Sequence, residues 1–238
     1  MDITKKLTPN RNVGRSGWIP DIIVCHITEG SFPGSIDWVT NPKSKVSYHF
    51  MVSKTGTVTQ CVEIANTAWA NGTTTGTASN SNQHSRLAAV RERNVNANFY
   101  TISIGFEGRI SENIGNLPPA QLAAAVELIR HIRAEVKGLF GKLIPLEREN
   151  IVAHSDVAPK WSPDCPGAKF PFNEILHQLE SSEPGIDDLT MEFRIKGKTV
   201  YLPAFVKDDR IFAQVRGFAE AVGCRVSWDD GDRVAVIE

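Results

Sequence analysis

The sequence predicts an α/β fold, a mixed central β-sheet flanked by helices, followed by a small ββαββ unit. Three observations lead there. Short apolar runs at Ile22 to Ile27, Tyr48 to Val52, Thr57 to Val62 and Thr101 to Phe106 read as strands. Stretches with apolar residues at helical spacing lie between and after them. Strands and helices mix without strict βα alternation, which favours a mixed sheet over a doubly wound parallel one.

The first run, "DIIVCHITEG", is a four-residue apolar stretch that ends in His26, as a buried strand would when it delivers a side chain at its carboxyl end. A short helix follows over Gly34 to Val39. The second and third strands are joined by "SKTGT", a tight hairpin turn. The stretch Asn71 to Val90 begins small and polar and is too long for a mere connection, so it is expected to form a rim. After the fourth strand the main helix is predicted over Pro119 to Lys137. Leu122, Val126, Ile129, Ile132 and Val136 fall at helical spacing, Pro118 and Pro119 suit its start, and Gly138 suits its C-cap. Its other face carries Glu127, Arg130, His131, Arg133 and Lys137, which makes His131 a solvated surface residue. A further helix is expected over Phe172 to Leu179, where His177 has no partner pattern that argues for chemistry.

"SSEPGIDDLT", Ser181 to Thr190, combines small, acidic, Pro and Gly residues with no apolar period and reads as a linker. The expected domains are therefore residues 1–180 and 191–238, with 181–190 between them. The second reads as strand, "KGK" turn, strand, a helix over Ile211 to Val222, strand "CRVSW", turn and strand "RVAVI". It holds no His and no clustered nucleophile, so it reads as a packing or attachment module.

A chain of 238 residues, 41% apolar, can bury its own core. The net charge of −1 gives no global field toward nucleic acid or an anionic membrane, so any polymer must be recognised locally. The N-terminus has no apolar signal-peptide region and there is no run of 18 apolar residues. A cytoplasmic product without membrane insertion is expected. The four cysteines, Cys25, Cys61, Cys165 and Cys224, are too few and too scattered for a disulfide framework. Cys61 and Cys224 lie in strand-like runs and read as core.

The strongest chemical signal is "IVAHSDVAPKWSPDCPG". His154 and Cys165 supply an imidazole and a soft thiolate across one loop, the donors Zn²⁺ prefers, and a catalytic zinc takes three protein ligands and leaves the fourth position open. His26 is the best third ligand. Cys25 sits next to it but should point to the opposite face of the strand. A cysteine hydrolase with Cys165 as nucleophile and His154 or His26 as base is the rival reading of the same residues.

Together, "IIVCHIT", "VSYHFMVSKTGTVTQCV", "TAWANG", "TISIGFEG" and "HSDVAPKWSPDCPG" resemble the zinc-dependent N-acetylmuramoyl-L-alanine amidases, the type shared by phage lysins and peptidoglycan recognition proteins. The resemblance covers roughly residues 15–180. It implies Zn²⁺ on His26, His154 and Cys165, and hydrolysis of the amide between N-acetylmuramic acid and L-alanine by a zinc-activated water. It places Tyr48 beside the metal as an oxyanion donor, with His49 on the other face of the strand. Glu107 ends the "SIGFE" strand as general base, or instead caps a neighbouring backbone. Many members carry a Lys two residues before the Cys or Asp ligand; here Pro163 stands there, and Lys160 either reaches the same point or is a solvated surface residue. Trp69, Asn71 and Arg86 are candidates for the substrate groove, with a core position equally open for Trp69. The C-terminal unit is similar to the stalk domain named for copper amine oxidases, without copper ligands, and implies wall targeting or homodimerisation. Bacterial peptidoglycan is the implied partner and a phage or prophage endolysin the implied role. A non-catalytic peptidoglycan binder and a cytosolic wall-recycling amidase are the alternatives.

Overall fold

The computed structural model describes residues 1–182 and, beyond them, 190–195, 198–207, 210–213, 219, 223, 226–229 and 234–237. The chain divides into two units, Met1–Glu180 and Ser181–Glu238. In the first, the elements in order are β1 (Ile3–Lys5), β2 (Arg11–Asn12), β3 (Ile22–Ile27), α1 (Phe32–Thr40), β4 (Phe50–Val52), β5 (Val58–Gln60), β6 (Thr67–Ala68), α2 (Ala88–Arg93), β7 (Thr101–Phe106), α3 (Ile110–Asn113), α4 (Pro119–Phe140), β8 (Ile151–Ala153), α5 (His154–Val157) and α6 (Phe172–Ser182).

Six of these strands form one sheet in the order β1-β5-β4-β7-β3-β8. β4 and β5 form an antiparallel hairpin, while β4 with β7, β7 with β3, and β3 with β8 run parallel. The sheet is mixed, as the irregular alternation of strands and helices predicts. Alternation along β3 sorts its side chains between two cores. Ile23, Cys25 and Ile27 lie in the core shared with Ala125, Ile129 and Ile132 of α4, and Ile22 and Val24 pack with Val90, Tyr100, Val152 and Val157. His26 therefore belongs to the face turned away from α4.

Differences from the predicted boundaries have local causes. The second and third strands are shorter than expected because the N–H groups of Cys61 and Val62 both bond to the His49 carbonyl, at 2.8 and 3.3 Å, which ends the regular ladder. The "SKTGT" segment does close the hairpin, with Ser53 N–H on the Thr57 carbonyl at 2.9 Å. Helix α4 runs past Gly138 to Phe140 and is capped by Gly141 in the left-handed conformation at φ 71°. An internal glycine costs a helix only about 1 kcal/mol, whereas the left-handed cap favours glycine strongly.

In the second unit, β9 (Thr190–Ile195), β10 (Lys198–Lys207) and β11 (Arg210–Ala213) form an antiparallel sheet. β12 (Val226–Asp229) pairs with β13 (Val234–Ile237). The helix expected from Ile211 is corrected at its start: Ile211, Phe212 and Ala213 are strand, paired with Val206, Phe205 and Ala204. The Lys207 to Arg210 pairing spans only two intervening residues, the spacing of a hairpin, and it overrides the helical period that follows. The rest of that expected helix, except Ala219 and Gly223, lies outside the described residues, as does Cys224. In the expected linker, Ser181 and Ser182 complete α6 and Thr190 opens β9, with 183–189 outside the described residues.

Candidate metal centre

Parallel pairing builds the site. Cys25 of β3 pairs with Ala153 of β8, so the next residue of each chain, His26 and His154, emerges side by side at the carboxyl ends of neighbouring strands. Their ring centroids are 4.4 Å apart. Carboxyl ends of parallel strands are where open α/β sheets hold ligands. Cys165 returns over this end, its Sγ 3.9 Å from His26 Nδ1, and the donor atoms of His26, His154 and Cys165 lie within 4.8 Å of one another. Tetrahedral bonds of about 2.0–2.3 Å to N and S donors set ligand atoms about 3.3–3.6 Å apart. The observed cluster is somewhat wider, at 3.9 Å for the His26 and Cys165 pair and within 4.8 Å for all three, and two imidazoles and a thiol are a donor set that suits Zn²⁺.

Two glycines give the loop its place. Gly167 at φ +110° and Gly115 at φ +90° bring the backbone that follows Cys165 against Ile114 and Gly115, with no room for a Cβ at either position. Lys169 N–H then bonds to the Ile114 carbonyl at 2.9 Å, and Ser155 N–H to the Cys165 carbonyl at 2.9 Å. Asp156 is turned away from the cluster: its carboxylate accepts from Ala153 N–H at 2.9 Å and from Arg148 at 2.9 Å, fixing the short helix α5 that begins at His154.

Burial sets the charge states. His154, only 9% exposed, is lowered to about 4 by loss of solvation. His26 is lowered well below the usual imidazole range, first by burial and then by His154, with its Asn71 hydrogen bond opposing. Both are neutral near pH 7 and ready to donate a lone pair. The Cys165 thiol is pushed up to about 11, mainly by burial, against a backbone hydrogen bond from Ile27. It is therefore protonated without a cation, and a metal must displace that proton. A raised pKa is also the reverse of what an activated cysteine nucleophile needs.

The other sequence-predicted residues fall in different surroundings. Tyr48 stands edge-on to His26 with ring centroids 5.0 Å apart. Gly105 makes room for it, since a Cβ there would stand 3.0 Å from the Tyr48 ring. Burial, with Cys165 adding to it, raises the phenol and keeps it protonated. His49 precedes β4 rather than alternating within it. It is buried, its Nδ1 accepting from Ser103 N–H at 3.0 Å, while its Nε2 lies 3.2 Å from the Asn66 carbonyl oxygen and 2.9 Å from Arg15 Nη2. Glu107 directly follows β7 and accepts a backbone N–H on each oxygen, from Phe32 at 2.9 Å and Lys54 at 2.8 Å.

Asn71 is 2% exposed and turned to His26 rather than to an open groove, its Oδ1 2.7 Å from His26 Nε2. Trp69 is half-buried and its Nε1 donates to Asn12 at 2.8 Å. Arg86 is exposed, 3.8 Å from Asp156, and Lys160 is exposed with its Nζ 3.3 Å from His84. The rim loop thus meets the ligand loop at two points. His131 pairs with Glu135 at 3.2 Å on the surface of α4.

Two aromatics were missed by the sequence reading. Trp161, 64% exposed, lies in the ligand loop between His154 and Cys165, and Trp38, 58% exposed, projects from α1. The signal for Trp38 was available: Ile36 and Val39 form the buried stripe of α1, which leaves residue 38 outside. Trp38, Arg109 and Tyr48 line a cavity of about 520 Å³ that reaches the site through Tyr48.

The family described as N-acetylmuramoyl-L-alanine amidase matches residues 16–168. N-acetylmuramoyl-L-alanine amidase A of Achromobacter lyticus is 32% identical over 113 residues, 47% of this chain and half the length of that protein. Among solved structures, the amidase LysC of Clostridium intestinale URNW superposes with TM-score 0.51 at 21% identity over 76% of this chain and 98% of that one. PlyL superposes with TM-score 0.52 at 18% identity over 75% and 97%. These two show the same fold, and the family match spans His26, His154 and Cys165: the chain belongs to the N-acetylmuramoyl-L-alanine amidase family.

Proposed function

We propose that this protein hydrolyses the amide between N-acetylmuramic acid and L-alanine in bacterial peptidoglycan, with zinc in the His26, His154 and Cys165 cluster. The convergence of these three donors at the carboxyl end of the sheet, inside the span of the family match, carries the reading. Zinc, when bound, supplies Lewis acidity to the scissile carbonyl and lowers the pKa of water. Tyr48, kept protonated beside His26, donates to the developing oxyanion, a role worth on the order of 3 kcal/mol for one donor. Each Glu107 oxygen has a lone pair beyond the one its backbone N–H occupies, which lets Glu107 take a proton from water and deliver it to the leaving amine. Lys160, on the ligand loop, contributes positive charge at the rim.

For the substrate, Trp69 and Arg86 remain rim contacts. The cavity lined by Trp38 and Arg109 has the volume of a small-molecule site and receives the stem peptide or sugar on the Tyr48 side. The second unit serves wall attachment or self-association. The biological role is that of a phage or prophage endolysin acting on the cell wall.

The test is digestion of purified cell wall followed by mass spectrometry of the released fragments. New L-alanine amino groups without new reducing sugar ends are expected, and complete chelation of zinc should abolish them. New reducing ends, or lysis that survives chelation and is stopped by thiol alkylation, would overturn the reading.

A further inference from the structure

The polarity of a buried hydrogen-bond chain behind His26 can be followed atom by atom from a group that has no choice. The Ala97 carbonyl can only accept, and Thr101 Oγ1 donates its one hydrogen to it at 2.8 Å. Thr101 Oγ1 is thereby left as an acceptor, and Asn71 Nδ2 donates to it at 2.8 Å. That orients the Asn71 amide, so Oδ1 faces His26 Nε2 at 2.7 Å. An amide oxygen cannot donate, so Nε2 must carry the imidazole hydrogen. Nδ1, which faces Cys165 Sγ, is then the bare nitrogen.

We propose that Asn71 is the positioning residue that fixes His26 in the Nε2–H tautomer and so presents Nδ1 to the metal, a role that rests on the zinc reading of the cluster. Asn71 is held for it from both sides. Its own N–H donates to Asn98 Oδ1 at 2.7 Å, and Thr73 ties the same loop to the same turn by accepting from Ala97 N–H at 2.9 Å. Asn71, Thr101 and Ala97 are all buried, so water does not compete for these bonds. Partners that orient a metal-ligating His typically change metal affinity by about 10–100-fold when removed. A carboxylate at position 71 could accept the same Nε2–H, with the Thr101 hydroxyl turned from the Ala97 carbonyl to donate to its second oxygen, whereas an apolar side chain could do neither.

Two readouts test the assignment without turnover. In metal-free protein with ¹⁵N-labelled histidine, long-range ¹H–¹⁵N spectra should show His26 as the Nε2–H tautomer. Asn71→Leu should populate the Nδ1–H form, while Asn71→Asp should keep the native one. Zinc affinity, read by competition with a chromophoric chelator, should fall about 10–100-fold in Asn71→Leu and be retained in Asn71→Asp. Thr101→Val, which removes the acceptor that orients the amide, should lower zinc affinity in the same direction and serves if Asn71→Leu fails to fold. A folded Asn71→Leu with native tautomer and affinity would overturn the proposal, as would equal loss in Asn71→Asp and Asn71→Leu. Native protein that shows the Nε2–H tautomer but takes up no zinc would refute the metal reading while leaving the hydrogen-bond chain intact.

Discussion

In the proposed function Cys165 holds the metal and Glu107 moves the proton, and two substitutions divide these roles. Cys165→Ser removes the thiolate donor, so zinc affinity should fall by more than the about 10–100-fold expected for an outer partner, and amide hydrolysis should fall with it. Equilibrium dialysis with zinc analysis checks this, and a Ser variant with native zinc content would remove Cys165 from the ligand set. Glu107→Gln should keep zinc and lose about 100-fold or more in turnover, the scale of general acid–base catalysis. It should also cost about 1–3 kcal/mol of stability, because the Gln NH₂ must face one of the two backbone N–H groups that the carboxylate now accepts. A zinc-free, inactive Glu107→Gln protein would sink this division of roles. At this scale the sequence was informative about donors and less so about partners. His26, His154 and Cys165 carry their chemistry in their side chains, but the bond from Asn71 to His26 spans 45 residues and has no local signature.

The element that sets the geometry of the centre is the return loop after Cys165. Its close passage over Ile114 and Gly115 depends on Gly167, which has φ +110° and backbone atoms where a Cβ would go. Gly167→Ala must either strain or shift the loop, at about 1–3 kcal/mol for the backbone conformation alone. The expected outcome is a lower urea midpoint together with weaker zinc binding, because Cys165 moves with the loop. A variant with both values unchanged would show that the loop's path does not depend on this contact. The strands β3 and β7 were legible to the residue, since continuous apolar runs bounded by polar turns mark buried strands. The ends of α4 and β4 were not. Gly138 and Tyr48 have the right residue types for a cap and a strand start, and the choice fell to Gly141 and to the two hydrogen bonds accepted by the His49 carbonyl.

For the first unit as a whole, the buried histidines make stability depend on pH. His154 titrates at about 4, and His26 and His49 lie well below their usual range, all through burial first. An unfolded histidine titrates near 6.5, so between about pH 6.5 and 4 the unfolded chain binds protons that the folded one does not. Stability of the metal-free protein should therefore be fully present above pH 6.5 and fall toward pH 4, by about 1.4 kcal/mol per pH unit for each such histidine. Urea unfolding across that range checks the sign, and stability that rises on acidification would refute neutral burial. Among the described residues no helix is long and apolar enough to cross a membrane.

What the sequence determined by itself was the fold class, the two central strands and the candidate donors His26, His154 and Cys165 that the fold brings together, because apolar periodicity and side-chain chemistry are properties of short segments. Tertiary structure alone decided which residues meet. The register of Cys25 with Ala153 sets His26 beside His154, and Glu107 reaches Phe32 and Lys54 across 75 and 53 residues. Asn71 turned inward to the His26 imidazole while Trp38 stayed outside. Strand pairing and buried hydrogen bonds join remote segments according to the packing of the whole sheet, and no local pattern records that outcome.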